Sequence, residues 1–538
     1  MPKIALMQNL TAGYANSNVD KVCRAEVTNM YPEATSSQAS AQRILRSISG
    51  TSTLIELPEG RCRGMYRASR GPNGIPVLYA VFGSHLYLIE QSGSEFVYTE
   101  IGTVSNALVE PVSMCETGGY SHASDTDSST AWNTEAHPHL MIADGVQLYN
   151  VDTTLPAGLQ AETYQAVTLP LRPGTTSETI RPSHVTYAYG YLLVLDQGTD
   201  AFYTSYQYPY EVLNSNNQID TDILQTEKFG GYGFVTYGEW KSDTSLAMLS
   251  AGSYIYLLGT RSYQVFSYFD DVNYPFQSPN TGGAEIGCLA PRSVAAVGNQ
   301  IFWLGASDIG QYGVYTMIGT NMDRVSTPDI EREIAALATP SDAVAQTWQE
   351  YGHVFYAITF RSGRKTFVYD VLEKEWHIRA SYNSKLESTE DAWRPQFATL
   401  AFDKLCFGTL NDNKIIYQDD NKWTEYDGEV IRRRRRGGVI SAEFGPWYCD
   451  ALKLIVNSGQ VNDVNLDPKV SMKYSWDGGL TWSNQWIGSI GKQGMYNWLV
   501  QWDNMGMGEE LTIEISTTDN WPMGIIAAKI QGEPCCIL

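Results

Sequence analysis

The chain's strongest concentration of chemistry-bearing side chains is a run of five arginines, Arg432, Arg433, Arg434, Arg435 and Arg436. Each guanidinium is a fixed positive fork that matches a carboxylate or a phosphate. On an extended strand, side chains alternate between faces. Arg432, Arg434 and Arg436 then share one face and Arg433 and Arg435 the other, so neither face is expected to be a dry core. Three readings fit: a solvated strand between domains, a subunit interface paired to carboxylates of an acidic neighbour, or a contact to DNA. A second cluster, Ser475-Trp476-Asp477-Gly478-Gly479-Leu480-Thr481-Trp482, has the spacing Ser-x-Asp-x-Gly-x-Thr-Trp. Ser475 and Asp477 can accept from turn amides, Gly479 can take a positive φ, and Thr481 and Trp482 close and underpin the hairpin. That is structural work and needs no reaction. His122, His137 and His139 lie near Asp125 and Asp127, donors a divalent metal would accept, but at no recognised ligand spacing. There is no phosphate-binding Gly loop, nucleophile elbow or HExxH. The expectation is a non-enzyme with no catalytic residue, no metal and no cofactor.

Composition bounds what can hold these residues. At 538 residues the chain is too long for one ordinary domain. Its 34 Tyr and 47 Gly favour strands joined by tight turns. The net charge of −22 is the opposite of what a phosphate-gripping protein carries; it fits either simple solubility or a surface along which DNA slides without sticking. The eight cysteines are scattered, with no CxxC pair, so neither a disulfide framework nor a zinc module is expected. No signal peptide is expected at the start of the chain. No stretch of about 18 apolar residues occurs, so no helical membrane insertion is expected either.

A recurring unit organises most of the chain: an apolar strand, a small turn with Gly or Asp, and a second apolar strand. Val77–Glu90 and His139–Asp152 show it, as do His184–Ser205, Leu246–Tyr268, Arg292–Met317, His353–Arg379 and Phe397–Asp420. The units start roughly 44 to 63 residues apart, the size of propeller blades. The predicted fold is therefore all-β: a β-propeller of about seven blades over residues 61–430, preceded by an N-terminal arm (1–60) that begins the first blade. Residues 118–137 and 206–245 read as loop insertions, and 328–347 as the one helical stretch, with Ile330, Ile334 and Leu337 on one face. Beyond the arginine run, residues 431–538 alternate apolar and polar like a separate C-terminal β-sandwich.

Several motifs, in this order, resemble one known family. They are Asn29-Met30-Tyr31-Pro32-Glu33; Arg63-Gly64-Met65; Gly287-Cys288-x-Ala290-Pro291-x-Ser293-Val294 with Phe302-Trp303-Leu304-Gly305; Gly352-His353-x-Phe355-Tyr356 with Tyr369-Asp370 and Trp376-His377-x-Arg379; and the Asp477 hairpin with Ile490-Gly491-Lys492. The family is the tail hub, or nozzle, proteins of short-tailed bacteriophages, which stabilise packaged DNA. The resemblance implies a structural virion protein made in the host cytoplasm. It implies a homo-oligomeric, hexameric ring below the portal and adaptor that seals and conducts double-stranded DNA. It also implies partners in a tail needle or tip and in fibres or spikes. The alternative is a glycan-binding or sialidase-like, glycoside-hydrolysing propeller, which would need paired carboxylates at a propeller mouth.

Overall fold

A computed structural model describes residues 4–8, 25–35, 43–105, 110–118, 138–167, 169–172, 174–205, 235–237, 243–271, 275–279, 283–307, 310–383, 389–441, 445–461 and 466–535. Most of both expected insertions, 119–137 and 206–234 with 238–242, lies outside the described residues.

The repeats become seven sheets around one axis. Their strands are antiparallel; the first is a meander in chain order, Cys62–Ala68, Val77–Phe82, His85–Ser92 and Glu95–Thr103. The next five blades begin at Ser113, Pro182, Ser245, Ile286 and Ala343. The apolar residues explain why the sheets stack in this way. Middle strands such as Val77–Phe82 and Tyr191–Asp196 are buried on both faces, because each blade is covered by a neighbour on either side. Seven of the eight hydrophobic cores lie between successive blades. One of these packs Cys62, Phe82 and Tyr87 of the first blade against Ala401, Cys406 and Ile415 of the seventh, closing the circle. Close approach also fixes Gly287: a Cβ there would lie 2.2 Å from the Thr260 backbone.

The N-terminal arm does not begin the first blade. Its strand Gly50–Glu56 is the fourth strand of the seventh blade, antiparallel to Lys414–Asp419. The blade's own three strands, Pro395–Ala401, Lys404–Thr409 and Lys414–Asp419, would otherwise leave an open edge, and a strand from the far end of the chain covers it.

The C-terminal region is a two-sheet sandwich, but residues 431–538 do not complete it. One sheet runs Met30–Ala34, Arg43–Ser47, Gly524–Pro534, Trp447–Val456, Val500–Gly508, with Ile4–Gln8 also pairing to Gly524–Pro534. Val27, Met30 and Leu45 are fully buried in the same core as Leu452, Ile513 and Trp521. The arm is therefore part of the sandwich, which is discontinuous in sequence. The other sheet, Arg433–Arg436, Glu510–Thr517, Lys469–Ser475, Trp486–Ser489, extends through Glu26–Thr28 into the outer strand of blade six, Glu375–Asn383. Propeller and sandwich thus share one eleven-stranded sheet.

The expected helix over 328–347 is shorter. It spans Pro328–Ala335, with Thr327 accepting from the Ile330 amide and Pro328 in the first turn. Ile330 and Ile334 are buried between blades five and six. Pro340 starts a single 3-10 turn, and Ala343–Glu350 is the inner strand of blade six. The alternation of buried and half-buried residues from Val344 to Trp348 shows that period two, not 3.6, governs there.

Candidate functional site at the interdomain joint

The arginine strand sits where the two domains meet. Glu26–Thr28 flanks one edge and Glu510–Thr517 the other, with Arg435 opposite Val27 and Ile515. Alternation operates, but the buried face is dry, against expectation. Arg433 and Arg435 are 0% and 1% exposed. Arg433 is stabilised by carbonyls: Nη1 donates to Asp519 O and Nη2 to Trp423 O, each at 2.8 Å. Arg435 Nη1 donates to Glu26 O at 3.4 Å. Burial pushes the Arg433 guanidinium down to about 9 and that of Arg435 to about 10, so both stay charged at neutral pH.

The other face carries a ladder of ion pairs. Arg434 Nη2 lies 3.1 Å from Glu26 and 3.0 Å from Glu390. Arg436 donates to Glu514 at 2.6 Å and lies 3.6 Å from Glu26. Arg432 reaches Glu390 at 3.7 Å and Glu514 at 3.5 Å. Three guanidiniums meet three carboxylates, one each from the arm, blade six and the sandwich. Burial disfavours the Glu514 carboxylate, yet the hydrogen bond and charge of Arg436, with Arg434 and Arg432, hold its pKa below the ordinary range. The carboxylates expected from a neighbouring subunit are supplied by the chain itself, so the ladder joins domains within one molecule.

The Asp477 hairpin abuts this ladder. Ser475 donates to Asp477 at 2.6 Å; the Leu480 and Thr481 amides donate to Asp477 at 2.9 Å, and the Gly479 amide to Ser475 at 2.8 Å. Gly479 has φ 93°. These donors, the Ser475 hydroxyl first, hold the Asp477 carboxyl far below its usual range. Trp482 donates to Gly479 O and lies under the Arg436 guanidinium, 5.1 Å from its ring centroid, a cation–π contact.

Two motifs far apart in sequence also converge here. Asn29 adopts φ 56°. Its Nδ2 donates to Ala380 O and Arg432 O, both at 2.8 Å, and its Oδ1 accepts from the Ala380 amide at 2.9 Å. Tyr31 packs edge-on against His353 and Phe355. Beside them Arg379 lies 4.7, 5.0 and 4.8 Å from the rings of Trp348, Phe355 and Trp393 and pairs with Glu350 at 3.2 Å. His353 sits 2.6 Å from Asp370, and that hydrogen bond raises its pKa. His377 is buried, which drives its pKa well down. Sequence reading missed Glu26, Glu390 and Glu514 as arginine partners, for nothing in their local sequence marks them. The signal for Asn29 was its motif, without the positive φ that explains it.

Of the metal candidates, only His139 is described; its Nδ1 is 2.8 Å from Asn150 Oδ1. His122, Asp125, Asp127 and His137 lie outside the described residues. Among the described residues no group of three or more His, Cys, Asp or Glu is placed to hold a metal ion, and the described cysteines are unpaired. No helix among the described residues is long and apolar enough to cross a membrane.

The molecule is a closed propeller clasped to a sandwich by ion pairs and shared strands. Two family models match it: the bacteriophage P22 Gp10 beta-propeller over residues 172–422 and the bacteriophage P22 Gp10 beta-sandwich over residues 438–533. The chain belongs to the bacteriophage P22 Gp10 family of structural phage tail proteins, components of the virion. The arginine strand falls between the two matched segments. No curated protein matches the sequence. Among solved structures, the chain is similar to the extracellular domain of the one component system BT4673 from B. thetaiotaomicron, at TM-score 0.37 and 9% identity, covering 74% of this chain and 42% of that one. It is also similar to the N-terminal domain of Nup159, at TM-score 0.35 and 10% identity, covering 73% and 98%. A third is a glycoside hydrolase family 43 arabinoxylan arabinofuranohydrolase from Bacillus subtilis, at TM-score 0.26 and 10% identity, covering 90% and 99%. Likeness this weak says nothing about activity.

Proposed function

We infer that this chain is a tail hub: a ring-forming subunit below the portal and adaptor that retains and conducts packaged DNA and carries the tail needle or tip and the fibres or spikes. The observation that supports this most is the joint. A continuous sheet, a three-by-three ion-pair ladder and a strand exchanged between domains make propeller and sandwich one stiff unit, suited to bearing load in a closed ring. The net charge of −22 favours a conduit that repels rather than grips DNA. Ring contacts of this kind bury on the order of 2,000 Å² or more.

Cryo-electron microscopy of the particle that contains this chain tests the reading. Six-fold density below the portal that fits the propeller and sandwich supports it. Absence from particles, or a peripheral glycan-bound position, overturns it.

A further inference from the structure

The sheet that contains the arginine strand is hollow beside the ion-pair ladder. Alternation puts Arg432, Arg434 and Arg436 on one face of it. The register carries that face across three more strands: Arg434 stands opposite Ser516, Ser516 opposite Ser471 and Ser471 opposite Ile487, with Lys473 opposite Glu514. Long side chains therefore surround a pair of short ones. The hollow has a volume of about 460 Å³, and its lining includes Ser471, Ser516, Arg432, Lys469, Lys473 and Asp519. The two serines are buried, with their hydroxyls 2.9 Å apart, and form the floor.

The charge of this lining is the reverse of the chain's. Three cations meet one carboxylate, in a protein of net charge −22. The neighbouring acids do not overturn that balance. Arg432, Arg434, Arg436 and Lys473 are set against Glu26, Glu390 and Glu514, while Lys469 pairs with Asp467. The Asp519 carboxylate accepts the Lys469 amide at 2.5 Å and attracts Arg433 from the other face of the sheet. Arg432 lies 3.7 and 3.5 Å from its two glutamates, beyond good hydrogen-bond length. Lys473 is half-buried and has no hydrogen-bond or ion-pair partner among the described residues. Partly desolvated cationic donors without an acceptor are costly unless an anion supplies one. The propeller mouth is the opposite case: the cavity of about 190 Å³ beside Arg292 is lined by Glu110, Asp144 and Asp342, which repel an anion.

We propose that the hollow beside the ladder binds one phosphate group, free or as the monoester of a small molecule. Three positive charges less one negative leave an excess of two in the lining, which matches the roughly −1.5 to −2 of a phosphate monoester near pH 7. A tetrahedral oxyanion can meet the serine floor and the Arg432 and Lys473 walls at once, whereas a planar carboxylate has two oxygens to share among them. Duplex DNA would bring a line of phosphates, of which the hollow takes one, against an acidic surface. The site is independent of the tail hub reading, since a single chain forms it.

The test is isothermal titration of the full chain with inorganic phosphate at constant ionic strength. Saturable binding of one phosphate per chain is expected, weakened roughly tenfold by Lys473→Gln, the effect of losing one charge-assisted contact, and less by Lys473→Arg. Arg432→Gln should weaken it by a similar factor and keeps the test open if Lys473→Gln does not fold. Glycerol 3-phosphate that competes at least as well as phosphate assigns the hollow to a monoester, and weaker competition assigns it to free phosphate; both uphold the proposal. Absence of saturable binding, equal binding by wild type and a folded variant, or equal competition by acetate overturns it. A short DNA duplex that displaces phosphate from the wild type and loses affinity in Lys473→Gln makes the hollow a nucleic-acid contact, which also overturns it.

Discussion

The arginine strand at the joint and Arg292 at the propeller mouth have different surroundings. At the joint, Arg432, Arg434 and Arg436 meet Glu26, Glu390 and Glu514, while Arg433 and Arg435 are met by backbone carbonyls. At the propeller mouth, Arg292 meets no acceptor among the described residues. The same side chain is a rivet where the fold supplies hydrogen-bonding partners and, at Arg292, feels the Glu110 charge without a bond to it. Charge content alone cannot tell these apart; the count of satisfied donors can.

That contrast can be broken by mutation, most forcefully at the rivets. Arg433→Ala removes two carbonyl partners and opens a cavity at the domain boundary. It should cost about 3–5 kcal/mol in chemical denaturation; a loss under about 1 kcal/mol would mean that the buried guanidinium does not hold the joint. Asn29→Ala loses three side-chain hydrogen bonds and places Ala at φ 56°. The expected cost is about 2–3 kcal/mol, and Asn29→Gly, which tolerates that φ, should recover part of it.

A smaller effect comes from Glu425, in the segment leading to the arginine strand. Burial raises its pKa to about 7, against the attraction of Arg394, 3.2 Å away. Its folded-state pKa lies above its unfolded one, so the folded state holds more protons between about pH 4.5 and 7. The Glu425 contribution to stability therefore rises as pH falls through that window and is lowest above pH 7. Glu425→Gln should flatten this dependence and raise neutral-pH stability by about 1 kcal/mol; melting curves at pH 5 and pH 8 report both. Smallest of all, Arg292→Ser should change stability by less than about 0.5 kcal/mol. A loss comparable to that of Arg433→Ala would make Arg292 another rivet and erase the contrast.

Much of the fold is legible in the residues. Val77–Phe82 and its counterparts announce blades because a strand covered on both faces reads as an unbroken apolar run. The spacing of Ser475, Asp477, Gly479 and Thr481 announces a turn because every contact it needs lies within seven residues. The partners of the arginine run were not legible. Glu26 and Glu390 lie 408 and 44 positions from Arg434 and come within its reach only where a short N-terminal strand enters the sheet between the domains, which no local pattern encodes. Arg433 misled for a related reason: isolated, it reads as too polar to bury, and the carbonyls of Trp423 and Asp519 that satisfy it are invisible until the chain has turned back on itself. Helix propensity over 328–347 likewise lost to strand pairing from Ala343, where tertiary context overrides local preference.

The placement of Gly50–Glu56 beside Lys414–Asp419 sets a clock on the protein's birth. The segment that closes the seventh blade leaves the ribosome early, yet roughly 360 more residues must follow before its partner exists, on the order of 20–70 s at bacterial elongation rates. The arm's strand at Arg43–Ser47 waits longer still, for Gly524–Pro534. The propeller cannot close before Lys414–Asp419 is made, nor the sandwich before Gly524–Pro534, so a chain cut short of Lys414 has an unsealed blade edge and half a sandwich.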